Sequence, residues 1–286
     1  LGSLLSSTQK ANTTKLTLTG QINEADFAVM KSQMPALTYL DLSKVICDGN
    51  KIPSKAFGDQ SSSSVNKTIT TIILPESITT IELYAFYNCS GLKGSLTIPD
   101  NVITIGANAF YGCTGFNSAL TLPTSLTTIG IYAFYNCSGF TGALNIPNNV
   151  TTIGSSAFES CSGFNGSLTL PTNLTTIGGH AFKNCLGFTG ALTIPNKVTS
   201  IGMYAFFGSK GFNSVLTLPT SLTSIGIYAF YGCTNVTKFQ FLSATPVDYL
   251  EEMLPNGKPV TVPTEAAVTA YQTKWGTSRH AITAAE

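Results

Sequence analysis

Prolines stand at Pro75, Pro99, Pro123, Pro147, Pro171, Pro195 and Pro219, a step of 24 residues throughout. Phenylalanine keeps the same step from Phe86 to Phe230. Cysteine follows three residues behind it at Cys89, Cys113, Cys137, Cys161 and Cys185, gives way to Ser209, and returns at Cys233. Three residue types in one register over seven copies mark a repeat architecture. A 24-residue unit is too small to bury its own apolar face, so it must stack on copies of itself.

One unit, residues 120–143, reads LTLPTSLTTIGIYAFYNCSGFTGA. Leu120 and Leu122 alternate around Thr121, the period of a short strand, and Pro123 ends it because proline has no N–H to give to a ladder. Ser125 suits a turn, Leu126 and Ile129 return to the apolar side, and Gly130 permits the next bend. Ala133, Phe134 and Cys137 recur at spacings of three and four, which predicts one or two turns of helix. Stacking such units in register makes ladders of Leu, Ile, Phe and Cys. The expected fold class is an α/β repeat: a right-handed solenoid of 24-residue coils, with short parallel strands and one-to-two-turn helices, capped at both ends.

Seven copies of I-[GE]-x-x-A-F-x-x-[CS] between residues 72 and 238 resemble the BspA-like leucine-rich repeats of bacterial surface proteins. The commoner consensus L-x-x-L-x-L-x-x-N-x-L is met only loosely, with Ser125, Asn149 and Asn173 at the turn and no regular asparagine ladder. The resemblance implies a leucine-rich-repeat solenoid in an extracellular or cell-surface setting, with an export signal or lipid anchor upstream. It also implies an adhesion role, since BspA-like proteins are associated with attachment to host matrix proteins. The alternative is a passive scaffold or spacer that displays other domains of a longer surface protein.

Both ends depart from the repeat. Residues 1–36 read as an N-terminal cap: Leu16 and Leu18 form a strand pair, and Asn23 before Glu24, Ala25 and Asp26 marks a helix start, the helix running to about Gln33. Residues 37–71 read as a degenerate first coil carrying an inserted exposed loop, DQSSSSVNKT. The seven repeats follow over 72–238. In residues 239–286, Phe239 and Phe241 supply a last strand, Val260 and Val262 another, and Thr264 caps a helix to Trp275. That VP-x(n)-Y-x(n)-W segment resembles the C-terminal cap of BspA-like proteins.

Only 10% of residues are charged, the formal net charge is +1, and Arg279 is the sole arginine. Nucleic-acid binding needs clustered basic residues to displace counterions, so no nucleic-acid partner is expected. No stretch approaches the ~20 apolar residues of a membrane-spanning helix. The repeat cysteines come one per coil, where stacking about 4.8 Å apart with parallel side chains suits neither a disulfide nor a zinc site. They read as a buried column of small apolar thiols; Cys47 lies outside it and is left open.

Enzyme chemistry has little to work with. Within the repeats Glu76, Glu82, Asp100 and Glu159 sit on different coils, and His180 occupies a variable, exposed position. No catalytic residue, metal ligand or cofactor is expected. What remains is aromatic. Tyr84, Tyr132, Tyr204 and Tyr228 fall in one column, and Tyr87, Tyr111, Tyr135 and Tyr231 in another. Both columns also accept Asn, Ser, Glu, Lys or His, which implies partial exposure. They form the candidate ligand-binding face for a host or microbial surface protein or glycan; the alternative is that they shield the groove between adjacent turns. Thr97, Thr121, Thr169, Thr193 and Thr217, broken by Asn145, make a second row, either a hydrogen-bonding surface or simple β-branched packing.

Overall fold

A computed structural model describes residues 1–60 and 67–285. The coils stack into a parallel solenoid, and most contribute two short strands rather than one; the coil of Leu192 contributes only Ser200–Ile201. The larger sheet has eight strands: Lys51–Ile52, Thr80–Ile81, Thr104–Ile105, Thr128–Ile129, Thr152–Ile153, Thr176–Ile177, Ser200–Ile201 and Ser224–Ile225. Each Ile pairs with the Ile of the next coil, which buries that column while the Thr or Ser beside it stays outside. The leucine strands also form, as Leu96–Thr97 beside Leu120–Thr121 and Leu144–Asn145 beside Leu168–Thr169. The proline two residues beyond each of these four strands cannot donate to the ladder.

The helices expected inside the coils are tight turns instead. The N–H groups of Ala133, Tyr135 and Cys137 donate to the carbonyls three residues back, at 3.2, 3.1 and 3.2 Å. Those of Tyr132, Phe134 and Asn136 donate forward to Ser155, Ala157 and Glu159 of the next coil, at 3.0, 2.8 and 2.8 Å. Tyr132 and Asn136 have φ of 57° and 54°, a left-handed conformation that no right-handed helix contains. A spacing of three and four therefore arises here from two successive turns. α-Helices occur, among the described residues, only at the ends: α1 (Ser7–Asn12), α2 (Glu24–Ser32) and α3 (Glu265–Trp275).

Two phenylalanine columns fill the core. Phe86, Phe110, Phe134, Phe158, Phe182, Phe206 and Phe230 stack with centroids 5.0–5.6 Å apart. Phe116, Phe140, Phe164, Phe188 and Phe212 stack beside them at 4.9–6.1 Å, and the columns meet edge to face, as Phe134 meets Phe140 at 6.4 Å. The second column lies next to glycine for a steric reason. A Cβ on Gly139 would stand 1.9 Å from the Phe116 carbonyl oxygen, so the coils pack closer than any side chain allows.

The cysteine column is buried and free, and it does more than fill space. Five of its thiols donate to a phenylalanine carbonyl of the preceding coil: Cys113 to Phe86, Cys137 to Phe110, Cys161 to Phe134 and Cys185 to Phe158 at 3.0 Å, and Cys233 to Phe206 at 3.2 Å. Ser209 makes the same bond to Phe182 at 3.1 Å, so the one substitution in the column keeps the donor. Between coils, the turn residues also bond: Ser125 Oγ donates to the Val102 carbonyl at 2.7 Å and Asn149 Nδ2 to that of Thr124 at 2.7 Å.

At the N-terminal end α2 begins on Asn23, whose side chain accepts from the Ala25 and Asp26 N–H groups, and it buries Phe27, Val29 and Met30. Phe27 meets Phe57 edge-on at 5.6 Å and so extends the first phenylalanine column into the cap. At the other end the strand Lys238–Phe241 pairs Leu216 with Phe239, a spacing shortened to 23 residues. The strands Val260–Val262 and Ile282–Ala284 extend this sheet, and α3, capped by Thr264 Oγ1 accepting from Ala267 N at 3.1 Å, buries Tyr271. Neither α1 nor the strand Ile282–Ala284 follows from the repeat pattern. Of the inserted DQSSSSVNKT segment, residues 61–66 lie outside the described residues.

Candidate interaction surface

The column that begins at Tyr84 has one backbone conformation in every coil. Tyr84, Asn108, Tyr132, Ser156, His180, Tyr204 and Tyr228 all have φ between 54° and 59°. Asparagine tolerates this region better than most side chains, which accounts for Asn108; four tyrosines do not belong there on intrinsic preference. The turn points this side chain, and the one three residues on, to the outside. Tyr132 is 39% and Tyr231 41% exposed, and the other six tyrosines are half-buried. The eight tyrosines thus lie along one face as two adjacent columns.

A third column borders them. The residue before each left-handed position is Leu83, Ala107, Ile131, Ser155, Gly179, Met203 or Ile227. Leu83, Ile131 and Met203 are 42%, 50% and 43% exposed. Sequence reasoning missed this column because its residues look like core. The available signal was its drift from aliphatic to Ser and Gly, which no core column of this chain shows.

Together the three columns make a stripe with two apolar islands. In the first, Tyr87 and Tyr111 stack at 4.7 Å and Tyr111 and Tyr135 at 4.5 Å, while Tyr84 and Tyr132 stand edge-on to them at 5.3 and 5.6 Å. In the second, His180, Tyr204 and Tyr228 stack at 4.9 and 5.0 Å, and Phe207 and Tyr231 at 5.3 Å. Phe207 therefore joins the set expected from tyrosine alone.

Between the islands lies a polar waist. Glu159 Oε1 is 3.0 Å from Lys183 Nζ, its Oε2 is 3.8 Å from His180 Nδ1, and Lys183 Nζ lies 5.7 Å from the centre of the Tyr204 ring. The Glu159 side chain is only 10% exposed, so a nearly buried charge is held by its partner.

Electrostatics keeps the face uncharged where it is aromatic. Burial pushes the hydroxyls of Tyr87, Tyr111 and Tyr135 above the ordinary phenol range. The hydrogen bond from Tyr228 to Glu251 Oε1, 2.8 Å long, pushes its hydroxyl up to about 12. All four remain O–H groups at neutral pH, able both to donate and to accept. Burial holds His180 below the usual imidazole range, which leaves it neutral.

The threonine row is exposed at Thr97, Thr121, Asn145, Thr169 and Thr193, and half-buried at Thr217. Two shallow grooves run beside it. One, of about 580 Å³, is lined by Thr97, Glu76 and Asp100 among others; the other, of about 540 Å³, by Thr169, Thr193 and Lys197 among others. No stripe tyrosine lines either. Cys47, left open by the sequence, is buried, and desolvation pushes its thiol up to about 11. Among the described residues, no group of three or more His, Cys, Asp or Glu side chains is placed to hold a metal ion, and no helix is long and apolar enough to cross a membrane.

The family model for the BspA type leucine rich repeat region (6 copies) matches residues 50–189 and 187–253. Among solved structures, a leucine-rich repeat protein of Bacteroides ovatus is similar with a TM-score of 0.53 and 19% identity, over 87% of this chain and 75% of that one. The T. pallidum leucine rich repeat protein TpLRR is similar with a TM-score of 0.53 and 26% identity, over 64% and 89%. The pneumococcal vaccine antigen PcpA has a TM-score of 0.54 at 16% identity, over 94% and 68%. A search of the curated proteins found no match.

Proposed function

We propose a binding role for this chain, which belongs to the BspA-type leucine-rich repeat family: it is a non-catalytic module, displayed at or outside a bacterial cell surface, that engages a protein through its tyrosine stripe. The observation that carries this reading is the backbone of the first tyrosine column. Tyr84, Tyr132, Tyr204 and Tyr228 hold φ of 55–58° where Asn108, Ser156 and His180 serve the same turn. Each costs about 1 kcal/mol against a more tolerant residue. The turn does not need a ring at this position, since Asn108 and Ser156 serve it, and strain kept there points to a contact site. Low charge fits an interface that relies on tyrosine rings and hydroxyls.

Ring orientation favours a protein over a sugar. Aromatic recognition of a pyranose uses the face of the ring, and here the inner faces are taken. Tyr111 lies between Tyr87 and Tyr135, and Tyr204 between His180 and Tyr228. What projects outward is ring edge, hydroxyl and the aliphatic column, the mixture found in protein contacts. A passive spacer would need none of these.

The test is a binding screen of the purified chain against immobilised host matrix proteins, bacterial surface proteins and a glycan array. A double variant, Tyr132→Asn with Tyr204→Asn, runs in parallel. The expected result is one or more protein hits lost at least tenfold in the variant. Hits that survive the double variant, or glycan hits alone, would overturn the assignment to the stripe.

A further inference from the structure

About its waist the stripe is nearly symmetric: the coil of Ile131, Tyr132 and Tyr135 mirrors that of Met203, Tyr204 and Phe207. Hydrogen bonds between coils fix the order of its positions: Lys55 N donates to the Leu83 carbonyl at 3.0 Å, Tyr84 N to that of Ala107 at 3.2 Å, and Tyr228 N to that of Glu251 at 2.9 Å. Lys55 and Glu252, with φ of 59° and 46°, therefore extend the left-handed column beyond the tyrosines, a base at one end and an acid at the other. Between them come an apolar island, an acid at Glu159, a base at Lys183, and a second apolar island.

We infer that the protein this stripe accepts is a second copy of the same chain, docked antiparallel about a two-fold axis between Glu159 and Lys183. The inference rests on the reading of the stripe as a contact surface and names its partner. Under that axis the Glu159–Lys183 pair of each copy, closed at 3.0 Å within its own chain, faces the same pair of the other copy in reverse, so that each acid lies on the side of a base, an arrangement made twice because the contact is isologous. One coil further out, Tyr132 meets Tyr204, Tyr135 meets Phe207, and the exposed Ile131 meets the exposed Met203. Two coils out, Tyr111 meets Tyr231 and Asn108 meets Tyr228, and beyond them the apolar match ends, with Tyr84 opposite Glu252.

Three features favour this partner over an unrelated one. The first is spacing. Both copies advance by the same coil step, about 4.8 Å, so a register set at the waist holds out to both ends. A surface of different period would lose match within a few coils. The second is direction. A parallel two-fold arrangement would lay Glu159 on Glu159 and Lys183 on Lys183, whereas the antiparallel one pairs opposite charges. The third is net charge, which at +1 offers almost no long-range repulsion between copies.

Sedimentation velocity on the full chain from micromolar to tens of micromolar decides the matter. The samples are the wild type, Glu159→Lys, Lys183→Glu, and an equimolar mixture of the two variants. The wild type is expected to be a dimer. Each single variant sets two bases or two acids against their own kind and weakens self-association at least tenfold. The mixture restores it, because every cross-copy pair is again opposite in sign, and a misfolded variant could not be rescued this way. Should either variant fail to fold by circular dichroism, Tyr132→Asn replaces it, with the asparagine that Asn108 already uses in that turn, and is expected to be monomeric. A wild type that stays monomeric throughout, or a mixture no tighter than its components, would overturn the dimer. If the wild type is monomeric while stripe variants still lose a partner in the binding screen, the dimer falls and the contact surface stands. If stripe variants change neither readout, both fall.

Discussion

Phe134 lies between Tyr132 and Tyr135 in the chain, yet the column it belongs to and the stripe they belong to are built differently. The phenylalanine column runs through all seven repeats unbroken, with every ring buried against two neighbours. The tyrosine stripe uses the same turn and the same step, but lapses into Asn108, Ser156, Glu159 and Lys183 and keeps its rings half-open. Inside the solenoid each coil presents its neighbour with the same problem, so one residue type solves it every time. Outside, the neighbour sets fewer limits, and the choice of residue is free to answer something other than the fold. Regularity in this chain reports stacking, and departure from regularity marks the face proposed for contact.

The largest expected effect falls on the regular side. Phe158→Ala removes a fully buried ring from between Phe134 and Phe182 and should cost about 3–5 kcal/mol in denaturant unfolding. Because coils couple only to their neighbours, the loss in mid-array should also broaden the transition. A cost below about 1 kcal/mol would mean that the column is less tightly coupled than its stacking implies.

Acid sharpens the comparison in the cap. His280 is buried, with Nε2 3.0 Å from the Tyr249 hydroxyl and Nδ1 3.0 Å from the Lys258 carbonyl, and desolvation holds it below its ordinary 6.5. The folded state therefore prefers the neutral ring and the unfolded state takes up the proton first. Stability is fully present above about pH 6.5 and falls as pH drops toward the folded value, at up to about 1.4 kcal/mol per pH unit. Replacing His280 with Gln should flatten that limb of the stability profile. His180→Gln should flatten it less, since that ring is partly exposed and Glu159 favours its charged form.

Within the thiol column, Cys161→Ala removes the donor to the Phe134 carbonyl together with the sulfur and should cost at least about 1 kcal/mol. Cys161→Ser, which copies Ser209, should stay nearer to the wild type in the same unfolding assay. Equal costs for the two would show that the thiol serves only as filler. The smallest stability effect belongs to the stripe. Tyr132→Asn relieves a left-handed tyrosine and should leave stability unchanged or raise it by up to about 1 kcal/mol.

How much of this was legible beforehand follows from the range of the forces involved. The 24-residue step appears as repeated letters, and α2 and α3 are announced by Asn23 and Thr264 because capping is a local hydrogen bond. The turn around Phe134 has the spacing of a helix because intervals of three and four are common to both, and only φ at Tyr132 and Asn136 separates them. The eight-stranded sheet escaped notice because a two-residue Thr-Ile strand is too short to show a period. The tyrosine columns were visible as variable positions, but the aliphatic column beside them was not, since Leu83, Ile131 and Met203 are core residues by type and exposed only by their place on the turn. The thiol donors depend on a carbonyl 27 residues away, which no local pattern reveals.

Whether the stripe serves contact or folding can be read from one protein. The Tyr132→Asn, Tyr204→Asn double variant is carried through denaturant unfolding and sedimentation velocity side by side with the wild type. The expected result is an unfolding midpoint equal to or above that of the wild type, together with self-association weakened at least tenfold. A midpoint lowered by several kcal/mol of stability, with association intact, would show that the tyrosines hold the solenoid together and would contradict it.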